Sequence, residues 1–122
     1  MEMNAVWAAV RRHVDEARAI AGDEHIGVGL TEEPPTGNVY TKLVRVSLLS
    51  SAILAEAQRQ DRRCVSMAAP SDTHPEGGPM SEVRRIAKIA QALYSAHTWL
   101  SGYYEALVAE ARAVEEGEAR SS

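Results

Sequence analysis

A chain of 122 residues, 45% apolar and 25% charged, can bury one core without disulfides or metal and is too short for two ordinary domains. Its formal charge of −4 excludes nonspecific binding to DNA or RNA, which needs a cationic surface to neutralise phosphate. Cys64 is the only cysteine, which excludes an intrachain disulfide and any multi-cysteine zinc site.

Residues Met1 to Asn4 carry no basic cluster, and no apolar run reaches the ~18 residues that span a bilayer. A cytoplasmic protein without membrane contact is therefore expected. There is no Phe, and Ala and Val are abundant, so the core is thin for its length. Burial between copies would remedy that.

The first helix is predicted from Asn4, as N-cap, to a stop at Gly22. Val6, Trp7, Val10, Val14, Ala17, Ile20 and Ala21 form its apolar stripe. Gly22 to Asn38 reads as a loop, since the Pro34-Pro35 pair removes amide hydrogens and restricts the residue before it. The second helix is predicted from an N-cap at Asn38 to about Arg63. Val39, Leu43, Val44, Val46, Leu48, Leu49, Ile53, Leu54 and Ala57 cover more than one of its faces, the mark of a central helix. Alternation over 39–48 also fits a strand. Residues 64–80, with three prolines and Gly77-Gly78, read as a second long loop.

The third helix is predicted from an N-cap at Ser81 to about Glu116. Ile86, Ile89, Ala90, Leu93, Ala96, His97, Leu100, Tyr104, Leu107 and Ala111 recur at three- and four-residue steps along one face. At roughly 54 Å it outruns partners of roughly 30 Å. Such a helix must break, with Gly102 as the candidate hinge and a fourth helix the result, or lay its overhang on another copy. The domain organisation that follows is one helical domain over 1–116 and a flexible tail over 117–122.

The strongest local constellation is cationic. Arg59, Arg62 and Arg63 end the second helix, Arg84, Arg85 and Lys88 begin the third, and His74 lies in the loop between. Segment 59–88 holds six basic and four acidic residues, net +2, and the remainder holds seven and thirteen, net −6. Guanidinium forks suit phosphate or nucleotide, although charges closing a helix dipole or facing solvent explain the same pattern. A second set, Trp99, Leu100, Tyr103, Tyr104 and Leu107, is read as an assembly interface, with Trp99 and Tyr103 about 100° off the main stripe.

No catalytic, metal or cofactor motif stands out. His97 on the stripe fits a core histidine, and His13-x-x-Glu16 lacks the repeated inward carboxylates of a dimetal bundle. Cys64 beside Arg62 and Arg63 is the one candidate nucleophile, with no histidine that sequence can place near it. The sequence thus reads as an all-α bundle of three principal helices completed by oligomerisation. Its expected role is a noncatalytic binding or regulatory protein, with a homo-oligomer or a protein as partner. The alternative is a binder of a small anionic ligand at the Arg cluster, and a His/Cys enzyme comes third.

Overall fold

The computed structural model describes residues 2–30 and 33–121, with the side chain of Ser121 left aside. Three helices make up the described chain: α1 over Met3–Ala21, α2 over Val39–Ala68 and α3 over Met80–Ser121. No strand occurs among the described residues, so 39–48 is helical. At 42 residues, α3 is about 63 Å long.

Helix ends follow local chemistry, with several shifts from the sequence reading. Asn38 caps α2, its Oδ1 accepting from the Thr41 amide at 2.9 Å. Gly22 ends α1 at φ 64°, donating to the Arg18 carbonyl. Asn4 is not a cap: α1 begins at Met3, and the first ladder bond runs from Val6 N to Glu2 O. The earlier start lets Met3 pack on the core. α2 runs past Arg63 to Ala68, because nothing breaks it before Pro70, which favours the extended backbone of Ala69 (φ −70°, ψ 141°). α3 likewise starts at Met80, not after a Ser81 cap, with Glu82 and Val83 donating to the Pro79 carbonyl.

Gly102 does not break α3, which continues through Gly117 to Ser121. The overhang that argued for a second copy is also largely covered within the chain. The Tyr40 hydroxyl donates to Glu115, and Cys64 Sγ lies 3.5 Å from the Val83 carbonyl, so α2 runs antiparallel along α3 from 83 to 115. Only six positions, 116–121, extend further, and Glu116 to Arg120 are exposed.

The central helix is α3, not α2. Both α1 and α2 pack on it, and the two have no comparable packing with one another. Trp7 lies 5.9 Å from Tyr103, and Glu24 just past α1 reaches Arg85, so α1 is also antiparallel to α3. Between α1 and α2 the described residues 22–30 form a strap with neither helix nor strand. Its Ile26 and Val28 are buried with Val10, Val14, Val46, Ile53, Leu93 and Leu100 in one core. The strap does what a fourth helix does in a bundle, separating α1 from α2 and closing the core.

Candidate functional site

The strap is held from both sides. From α1, Arg18 Nη2 donates to the Val28 carbonyl. From α2, the buried Glu56 carboxylate accepts from Gly27 N, Gln60 Nε2 (3.0 Å) and Arg59 Nε (3.1 Å). Burial pushes the Glu56 carboxyl up, but the Arg59 and Gln60 hydrogen bonds and the Arg59 charge outweigh it and hold it below its ordinary value. Glu24, at the strap's start, bridges Arg85 at 2.7 Å and Arg63 at 3.1 Å. Those two hydrogen bonds, Arg85 first, lower its carboxyl as well.

This network divides the cationic cluster. Arg59, Arg63 and Arg85 are neutralised by Glu56, Glu24 and Glu82. Arg59, Arg62, Arg63 and His74 do converge, lining a cleft of about 590 Å³ with Ser66, Met67, Ser71 and Pro79. Arg84, Arg85 and Lys88 are not among its walls. The reason is rotational: Ile86, Ile89 and Ala90 turn into the core, leaving Arg84 and Lys88 exposed and Arg85 on Glu24.

The aromatic set is divided in the same way. Leu100, Tyr103 and Leu107 are buried within the chain, which corrects their reading as interface residues. Tyr103 turns to α1 against Trp7, at an interplanar angle of 59°, and burial raises its hydroxyl pKa. Trp99 and Tyr104 remain exposed. Five positions apart on a helix, they point in different directions. Only Tyr104 joins an apolar groove, with Leu43, Val44 and Leu48 of α2.

Helical periodicity alone does not reveal which apolar face of α2 stays open. Val44, Leu48, Ser51, Ala55, Gln58, Arg62 and Val65 are all exposed on the outer side of α2. Their steps of four and three alternate, the period of a helix–helix packing seam. Val44 is 60%, Leu48 68% and Val65 69% accessible. The wide apolar surface that makes α2 look central in sequence is therefore a buried face plus this unpartnered one.

The other candidates stay apart. His97 is half-buried, His13 lies 3.5 Å from Glu16, and the half-buried Cys64 thiol meets the Val83 carbonyl, not an imidazole. Among the described residues no three His, Cys, Asp or Glu side chains gather as a metal site, and no helix is long and apolar enough to cross a membrane. Comparison of the chain with protein-family models, curated proteins and solved structures finds no match.

Proposed function

We propose that the chain is a noncatalytic binding or regulatory protein that acts by self-association, and that the outer seam of α2 is its contact surface. The exposed heptad-spaced row from Val44 to Val65 is the observation that carries this reading. A second copy is the occupant we favour, in antiparallel array about a two-fold axis at Ala55. Val44 of one copy then packs on Val65 of the other, twice, and the small side chains of Ser51 and Ala55 let the helices approach at the axis.

A disulfide cross-link tests this geometry. In a C64S background the A55C variant should form an interchain bond under mild oxidation, because two-fold related positions at the axis come within disulfide reach. V65C should not link to itself, but a mixture of V44C and V65C chains should link to each other. Failure of A55C to cross-link, or self-linking of V65C to the same extent, would refute the antiparallel seam.

A further inference from the structure

We infer that the cleft at the end of α2 is a binding site for a phosphorylated small molecule, with Arg62 as its anchor. The cleft has two walls. One is the last turns of α2, which present Arg59, Arg62, Arg63 and Ser66; the other is the loop 69–79, which presents Ser71 and His74. No Asp or Glu lines it. Three arginines and a histidine thus border about 590 Å³ of space, in a chain whose net charge is −4; two of the arginines are paired with carboxylates outside the walls, and Arg62 carries the charge left over.

The carboxylates that serve these arginines lie outside the cleft walls. Glu56 engages Arg59 through Nε and Nη2, and Glu24 engages Arg63 through Nη1 and Nη2. These bonds fix the orientation of two guanidinium groups before any ligand arrives, which lowers the ordering cost of binding. Arg62 makes no hydrogen bond or ion pair among the described residues, so its fork is available to a phosphoryl group. The C-terminal carbonyls of α2 oppose an anion, but α3 begins at the same loop and sets its positive end beside them, with Gly78 and Pro79 in the cleft wall.

The opposite wall is built to a fixed shape. His74 N donates to Ser71 Oγ, the His74 carbonyl accepts from Ser71 N and Gly77 N, and Gly78 N donates to the Met67 carbonyl at 2.7 Å. Gly77 has φ +94°, and a Cβ there would lie 2.3 Å from the Ala68 carbonyl oxygen, so only glycine closes the loop this tightly onto α2. The result is a loop held against the end of α2 at Met67, with Ser71 and His74 among the residues that line the cleft. The volume accommodates a group larger than orthophosphate, and the three arginines fall within about one helical turn, roughly 6 Å along α2, a span that two linked phosphoryl groups can bridge.

Titration calorimetry with inorganic pyrophosphate tests the site. Because Arg62 also lies on the α2 seam, the parent is A55E, which lies outside the cleft and sets two like charges face to face at the axis, removing competition from a second copy. The parent should bind saturably, R62E in that background should bind about ten-fold more weakly or worse, and R45E should match the parent. Arg45 is an exposed arginine of α2 outside the cleft, so it controls for general charge. His74→Ala, an exposed loop change, should weaken binding with the helical circular dichroism unchanged. Absence of saturable heat up to ~10 mM pyrophosphate, undiminished binding by R62E, or equal losses in R62E and R45E would overturn the proposal.

Discussion

Replacing Glu56 by Ala should be the most damaging polar substitution in the molecule. The carboxylate is only 8% exposed and receives Arg59, Gln60 and the Gly27 amide. Removing it leaves Gln60, which is fully buried, with an unsatisfied Nε2, a cost of about 1–3 kcal/mol. The strap loses its hydrogen bond to α2 at Gly27, about another 1 kcal/mol, while relief of the carboxylate's own desolvation offsets part of the sum. A net loss of about 2–3 kcal/mol is expected. With a urea m-value of about 1–3 kcal/mol/M, the unfolding midpoint should fall by about 0.7–3 M. Glu24→Ala is the internal comparison. That carboxylate also joins two arginines, but both partners and Glu24 itself are partly exposed, so its loss should cost less than about 1 kcal/mol. The double variant E56M/Q60L, apolar at both positions, should recover much of the stability because no orphaned polar group remains. Equal effects of E56A and E24A in urea melts followed by circular dichroism would refute the claim that the strap is clamped at Glu56.

Glycine substitutions should have opposite signs along the chain. Gly102→Ala adds a Cβ with nothing within 4 Å inside a continuous helix, and should stabilise by about 0.5–1 kcal/mol in thermal melts. Gly77→Ala meets both a left-handed φ and the Ala68 carbonyl, and should destabilise by more than about 1 kcal/mol. On acidification, the lowered carboxyls of Glu24 and Glu56 contribute stability above the unfolded carboxyl pKa, and that contribution is lost as pH falls through their folded values. Stability should therefore drop below about pH 4.5, and E24Q/E56Q should flatten that slope. Tyr103→Ala should cost about 3 kcal/mol in chemical unfolding, because it opens the core against Trp7, whereas Trp99→Ala, at a site 41% exposed, should cost clearly less.

Helical periodicity made most of the core of α3 legible: Ile86, Ile89, Ala90, Leu93, Ala96, Leu100, Leu107 and Ala111 are buried as their spacing requires, but Tyr104 on the same stripe is exposed and Tyr103, expected about 100° off it, is buried. Asn38 and Gly22 were readable as caps because their chemistry is local. What depends on three-dimensional neighbours was not. The strap over 22–30 is rich in turn formers, yet Ile26 and Val28 are core residues, placed there by Arg18 on one side and Glu56 on the other. Glu56 itself looked like any polar residue of a helix, and no sequence period marks a carboxylate that will be buried beside a strap. The arginines at the end of α2 were visible as a cluster, but their division between ion pairs and an open cleft depends on Glu24, distant in sequence. For α2, composition revealed two apolar faces, and only the position of α3 decides which of them is covered.

Light scattering coupled to size exclusion, on the native chain and on A55E over a range of concentrations, tests self-association most directly. Ala55 is exposed, so the charge should leave the fold of a single chain intact, while at the two-fold axis it meets its own copy. A native mass of twice 13.2 kDa, with A55E eluting as a single chain of unchanged helicity, is the expected result. A native mass of 13.2 kDa at every concentration, or a multimer that A55E leaves unaltered, would contradict the role given to the α2 seam.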